Sequence, residues 1–360
     1  PYSKEYAITP ILDKHLPHAI VFNNMYAHAP ATNKSMVCLL GSLYPWLSHN
    51  SITKEYPAIN IKTISSELKA RGYRTSFFNS GDSRFQKANI FLSHRGFDIT
   101  RDCKTLACNT KFEEKKEGWE DLDGTDDACA GDEMLRWIGE DKKKPFFTML
   151  WTYQTHYPYY CCGPVKNYGT GDTVLNRYLN AVSHSDAVLG KILDDLKSKG
   201  LDESTLVVVI GDHGEAFGRH DQTTHASKLY EENVHIPCVF INPGLMAQTS
   251  QVIGGIVDVA PSIMSLLGFQ WPGEWQGESL FAAREKNKTF FFCPWSDYLF
   301  GYRQGNKKYI YNATKNRTEV YDLEKDPYET NNLASGMDIT ACHLELAAWV
   351  QYQDKFMNAL

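Results

Sequence analysis

The chain has 360 residues, 42% of them hydrophobic, 22% charged and 13% aromatic. That length can bury a large core and allows one large domain or two unequal ones. A net charge of −6 argues against the basic stripe that a nucleic-acid partner needs. Apolar runs such as Leu206–Ile210 are far too short to span a bilayer.

The predicted elements alternate in the manner of an α/β fold. Ile61–Arg71 carries apolar residues at helical spacing and stops at Gly72, and Tyr73–Phe78 follows as a short strand. Residues 104–128 are charged, cysteine-bearing and without periodicity, so an inserted loop is expected, with Glu113–Glu117 as a solvated charge run. Met134–Ile138 anchors an amphipathic helix, and Pro145–Thr152 reads as a buried strand. Tyr178–Leu196 repeats apolar residues at three and four, the mark of a long surface helix closed by Gly200. The β-branched run Leu206–Ile210 is expected to be buried on both faces of a mostly parallel sheet, and Val257–Leu267 is a further helix. Thr289–Phe292, Tyr298–Arg303, Lys308–Tyr311 and Glu319–Tyr321 are short strands divided by turn residues. They predict a small antiparallel sheet, closed by a helix near Leu344–Phe356. The expected division is therefore a catalytic domain over 1–285 and a small sheet-and-helix domain over 286–360. No internal repeat appears.

Nine cysteines without a CxxC pair argue against a structural zinc site. Cys103, Cys108 and Cys129 cluster, and Cys161 adjoins Cys162, so loop disulfides in an oxidising compartment are expected. Asn287, Asn312 and Asn316 open glycosylation sequons.

Chemistry concentrates in Val209-Ile-Gly-Asp-His-Gly-Glu-Ala-Phe-Gly218, where Asp212 and His213 follow a predicted buried strand. Open α/β sheets bind ligands at that end of a strand. A carboxylate and an imidazole on one cation suit zinc or manganese, with calcium behind them because it prefers oxygen ligands throughout. Gly211 and Gly214 are expected to permit the sharp turn that lets both converge.

A second segment, His28-Ala-Pro-Ala-Thr-Asn-Lys-Ser-Met-Val-Cys-Leu-Leu-Gly-Ser-Leu-Tyr-Pro45, resembles the nucleophile segment of sulfatases, Cys-x-Pro-Ser-Arg leading to Leu-Tyr-Pro. The modified cysteine falls on Thr32, the serine on Ser35, the proline on Lys34 and the arginine on Met36. Thr152–Pro158 is similar to the family segment bearing a substrate-binding histidine, here His156. His225–Pro237 is similar to the segment bearing a second one, here His225. Val257–Gly268, Gln276–Leu280 and Tyr321–Leu333 match later landmarks in order. The chain thus looks like a member of the alkaline phosphatase/sulfatase superfamily. The resemblance implies an α/β fold with a mostly parallel central sheet, helices on both faces, and a small C-terminal antiparallel sheet and helix.

Threonine nucleophiles belong to relatives that act on phosphorus: nucleotide phosphodiesterases, lipoteichoic acid synthases and phosphoethanolamine transferases. The resemblance therefore implies hydrolysis or transfer of phosphate mono- or diesters through a phosphothreonine. Thr32, Asp212 and His213 would hold a divalent metal, while His156 and His225 bind the ester and assist the leaving group. Asn33 and Lys228 join them as substrate-binding candidates, although a solvated side chain is the first expectation for Lys34 and Lys228. Support of the metal loop and plain loop structure are equal readings for His220. The alternatives are a sulfatase lacking formylglycine and an inactive binding module of the same fold; the joint presence of Thr32, His156, Asp212, His213 and His225 argues against the module. Expected partners are a phosphate ester with a lipid or glycan headgroup and no nucleic acid, in an extracytoplasmic setting. Family members also open with a strand ending in an acidic metal ligand, whereas Ile8–Asp13 already resembles the linker after it. Either that strand and its carboxylate ligand lie upstream of Pro1, which is the expectation and leaves room for a membrane anchor before it, or the ligand comes from elsewhere in the chain.

Overall fold

The computed structural model describes residues 6–114, 122–283 and 287–360. In chain order it forms α1 (Pro10–His15), β1 (Ala19–Tyr26), α2 (Thr32–Gly41), α3 (Ile52–Glu55), α4 (Ile64–Ala70), β2 (Arg74–Asn79), α5 (Ala88–Ser93) and β3 (Ile99–Arg101). Next come β4 (Lys111–Glu114), β5 (Leu122–Thr125), α6 (Asp127–Glu140), β6 (Phe146–Trp151), α7 (Thr173–Ser198), β7 (Val207–Ile210), α8 (Glu231–Val234), β8 (His235–Ile236) and β9 (Cys238–Ile241). The chain closes with β10 (Gln248–Gly255), α9 (Val259–Leu266), β11 (Lys288–Cys293), β12 (Leu299–Gln304), β13 (Lys307–Asn312), β14 (Arg317–Asp322) and α10 (Thr340–Ala359). Among the described residues no helix is long and apolar enough to cross a membrane.

The strands make an α/β architecture. One sheet runs β10-β1-β9-β7 with β8 also on β1, and a second runs β3-β2-β6 in parallel register. The small C-terminal sheet is the antiparallel meander β11-β12-β13-β14. The predicted elements are present within a few residues of their expected ends, and β3, β9 and β10 join them from stretches with no predicted element. β6 and β7 are half-buried rather than buried on both faces, because each stands at a sheet edge. β1 replaces a stretch with no predicted element and runs antiparallel to β9, Ala19 facing Ile241. Residues expected as an inserted loop contain the hairpin β4–β5, Lys111 facing Thr125; most of the Glu113–Glu117 charge run lies outside the described residues.

The chain divides into two compact units. The first comprises residues 1–21, 65–208 and 239–248, and the second 22–64, 209–238 and 249–360. In the first, Asp126 and Asp172 cap α6 and α7 with their carboxylates, satisfying amides that a helix start leaves unpaired. Gly200 ends the α7 segment with a φ of 67°, which costs glycine little. Phe78, Met134, Leu135, Ile138 and Leu196 form an apolar core there. Cys108 and Cys129 are joined by a disulfide inside this unit. The expected pairing of the other loop cysteines does not occur: Cys103, Cys161 and Cys162 are free thiols.

The core of the second unit is Tyr26, Val234, Ile253, Phe291, Leu299 and Ile310. Beside it lies a buried charge cluster. Lys308 Nζ sits 2.9 Å from Glu231 Oε1 and 3.0 Å from Glu329 Oε1, and Tyr26 Oη donates to Glu231 Oε2 at 2.9 Å.

Candidate functional site

Thr32 opens α2. The residue before it, Ala31, is extended (φ −160°, ψ 130°) and serves as the N-cap without a side-chain bond. The Thr32 hydroxyl is therefore not spent on capping; it donates to His213 Nε2 at 3.2 Å. One turn on, Ser35 Oγ donates to the Asp212 carbonyl at 2.6 Å, fastening the 211–216 turn to the helix start.

That turn follows β7 and is pressed against residues 232–237. Gly211 N donates to Pro237 O at 3.1 Å and Gly214 N to Asn233 O at 2.9 Å. A Cβ on Gly214 would fall 2.1 Å from Glu232 O. The glycine is required by close backbone approach, and neither Gly211 nor Gly214 has a positive φ, so the expectation of a turn made by glycine's torsional freedom is corrected.

The hydrogen bonds assign the His213 tautomer. Its Nδ1 is 2.9 Å from the Gly214 carbonyl, an acceptor only, so Nδ1 carries the proton and Nε2 turns a lone pair toward Thr32. Burial pulls the His213 pKa down, the Asp212 carboxylate opposes this, and the His225 ring adds to the lowering. A neutral imidazole results, the form that binds a metal. Asp212 Oδ1 accepts from His213 N at 3.0 Å, and its Oδ2 lies 3.5 Å from His213 Nε2.

Three donor atoms thus converge at separations of 3.2 and 3.5 Å along their two measured edges. Ligands of a tetrahedral zinc with bonds of about 2.0–2.1 Å stand roughly 3.3 Å apart, a spacing close to these two. Among the described residues no group of three or more His, Cys, Asp and Glu could hold a metal, and the set is short of a fourth donor.

His225 stands beside this pair, its ring centroid 4.2 Å from that of His213 at an interplanar angle of 33°. Its Nδ1 is held by Glu215 Oε2 at 3.1 Å. Glu215 was missed by sequence reasoning although it lies in the same Asp-His-Gly-Glu run; a carboxylate three residues past a metal-type aspartate was the available signal. Asn33, the second helical residue, and Lys228 are half-buried. Lys228 acts electrostatically on Cys293 and Asp297.

His156 belongs to the other compact unit, in the segment after β6. Its Nδ1 donates to Tyr157 O at 2.6 Å, and its ring stacks on Tyr153 with centroids 5.4 Å apart. Asp127, fully buried, fixes that segment by accepting from Tyr153 N at 2.8 Å and Gln154 N at 3.4 Å. His220 is tied to Glu232 Oε1 at 2.6 Å and stacks on Tyr230. Lys34 corrects an expectation outright: it is buried at 3% exposure rather than solvated.

A sequence model of the Sulfatase family matches residues 2–269. This chain belongs to the Sulfatase family. It is an enzyme-family fold of hydrolases and transferases, with similarity on both sides of that division. Over 92% of its length it is 22% identical to a Delta 4,5-hexuronate-2-O-sulfatase of Bacteroides thetaiotaomicron, covering 81% of that protein. Over 75% of its length it is 24% identical to the lipoteichoic acid synthase-like YvgJ of Bacillus subtilis, of which it covers 45%. Its structure superposes with a TM-score of 0.77 on a Vibrio parahaemolyticus protein of the alkaline phosphatase superfamily, at 22% identity and covering 98% of this chain and 82% of that one.

Proposed function

We propose that the protein hydrolyses or transfers phosphate esters through a covalent phosphothreonine at Thr32. The observation that carries this reading is the Thr32 hydroxyl, unspent at a helix start and 3.2 Å from His213 Nε2. A helix start presents backbone amides to an incoming anion, and a side-chain hydroxyl there is placed as a nucleophile. Asp212, His213 and Thr32 would hold a zinc or manganese ion. Bound there, the cation would acidify the hydroxyl and offset charge on the ester.

The remaining steps belong to the chain's own groups. Thr32 Oγ1 attacks phosphorus, a new P–O bond forms, and the bond to the leaving oxygen breaks. His225, as an imidazolium whose Nδ1–H is held by Glu215, would turn Nε2–H to the phosphoryl group or give that proton to the leaving oxygen, and the same role is proposed for His156. Water or an acceptor alcohol then attacks phosphorus and releases Thr32. Threonine supports phosphorus over sulfur: formylglycine hydrate expels sulfate by elimination, whereas a sulfated threonine cannot. The sulfate-ester reading is supported by the relatives, most of which are sulfatases, among them the hexuronate sulfatase and an ulvan-active sulfatase, each similar across more than nine-tenths of the chain. An extracytoplasmic setting agrees with the Cys108–Cys129 disulfide.

The test is acid-quenched turnover of an aryl phosphate followed by peptide mass analysis. Phosphate on Thr32, and loss of turnover in Thr32→Ala by more than ~100-fold, about 2.7 kcal/mol, are expected. A matched aryl sulfate turned over at an equal or higher rate overturns the phosphate assignment.

A further inference from the structure

Lys34 stands where sulfatases carry the proline of their motif, two residues after Thr32. Its ammonium is buried and donates to three carbonyls, Trp46 at 3.0 Å, Ser48 at 2.8 Å and Asn50 at 3.0 Å. It also lies 5.9 Å from the Phe292 ring centroid and 5.6 Å from that of Trp295. All three N–H donors are used, so Lys34 has none left for a substrate anion. What the cation does is gather two segments around the start of α2.

Turning the carbonyls of 46, 48 and 50 inward leaves His49 outside. It is exposed, and its Nδ1 shares a hydrogen bond with Tyr298 Oη at 2.8 Å, with the two rings edge to face at 4.9 Å. Residues 293–298, which carry Trp295 and Tyr298, are fastened in turn to the segment after His225. Cys293 Sγ donates to Ala226 O at 3.2 Å and Ser296 Oγ to Ser227 O at 2.8 Å. The rim so formed starts two residues from Thr32 and ends one residue from His225.

We propose that this rim, His49, Trp295 and Tyr298, is the leaving-group subsite, that it takes a ring-shaped alcohol bearing adjacent hydroxyls, and that Lys34 is its positioning residue. The inference rests on Thr32 as nucleophile. Trp295 and Tyr298 are half-exposed, and aromatic faces pack on the C–H face of such a ring. In either tautomer of the neutral imidazole, one of His49 Nε2 and Tyr298 Oη keeps a free proton and the other a free lone pair. The pair therefore offers one donor and one acceptor, a match for two neighbouring hydroxyls. A linear alkyl group would leave both unpaired, which is how a polar subsite rejects the wrong ligand.

The experiment compares ethyl phosphate with glucose 6-phosphate, two primary alkyl monoesters that differ in the ring. The parent is expected to prefer the ring ester by at least ~10-fold in kcat/KM. His49→Ala and Tyr298→Phe, both at the surface, should each cut that preference at least ~3-fold, and Lys34→Met should cut it through KM more than kcat. No preference in the parent, or an unchanged preference in both surface variants, overturns the proposal. If neither ester turns over, the phosphate reading fails, and the rim is judged by calorimetric Kd for the same two esters in the parent and the surface variants. Equal Kd values would sink it independently.

Discussion

Gly214→Ala tests whether the 211–216 turn is held by contact rather than by torsion. The added Cβ would lie 2.1 Å from Glu232 O, 3.0 Å from Glu232 C and 3.4 Å from Asn233 C. All three are backbone atoms, so no side chain can rotate away. Restoring contact distance requires the turn and the 232–233 backbone to part by about 1 Å, which also breaks the Gly214 N to Asn233 O bond at 2.9 Å. Overpacking of this kind costs roughly 1–3 kcal/mol of stability. Asp212 and His213 ride on the same turn, and a displacement near 1 Å at a catalytic group costs about 100-fold in rate. The assay is kcat/KM on an aryl phosphate beside a urea unfolding curve. At Gly211 the nearest atom to an added Cβ is Pro237 Cδ at 3.1 Å, so Gly211→Ala should be the milder change. A Gly214→Ala enzyme within twofold of the parent, with an unmoved midpoint, would refute the close-packing argument and return the glycine to a torsional role.

Burial pushes the Asp127 carboxyl up to about 6, above its unfolded value near ~3.9. Its contribution is therefore complete below the unfolded pKa and is lost as pH rises through 6, about 2 kcal/mol of it between pH 4 and 7. Urea unfolding should show the parent losing that much relative to Asp127→Asn over this range, and parallel pH curves would contradict it. Reducing the Cys108–Cys129 disulfide, which closes a loop of 21 residues' separation, should destabilise the fold by roughly 3 kcal/mol, read as a lower Tm in reductant. Lys308→Met should cost about 3–5 kcal/mol, because Glu231 and Glu329 stay buried without their cation. Adding Glu329→Gln should recover part of that loss, and an additive double variant would show the two groups to be uncoupled.

The fold was legible where period and punctuation agree. Tyr178–Leu196 repeats at three and four, ends at Gly200, and is a helix within a few residues of those limits. The four short apolar runs after residue 286 alternate between turn residues and pair in sequence as β11–β14. Edge position was not legible. A continuous β-branched run such as Leu206–Ile210 carries no mark of which neighbours it will have, so β7 was read as doubly buried although it ends its sheet. β1 was hidden for a related reason: Ala19–Tyr26 holds Asn23 and Asn24 in its middle, and Asn24 Nδ2 finds the Gln251 carbonyl across the sheet at 3.0 Å, a partner 227 residues away.

The residues of the candidate site divide along the same line. Thr32, Asp212, His213 and His225 sit on short local motifs, and four of the five expected chemical groups lie in one compact unit, with Thr32 and His213 in direct contact. Lys34 could not be read that way. A lysine two residues from a nucleophile suggests an anion contact or a solvated chain by type alone. Its actual role depends on three carbonyls 12 to 16 residues away and on rings more than 250 residues away. Burial pulls its pKa down to about 8, while three carbonyl dipoles favour the charged form. Removing it would leave those carbonyls without this donor, and each one kept from water would cost about 1–3 kcal/mol. Local motifs report which atoms can react; long-range closure of hydrogen bonds determines where the surrounding rim stands.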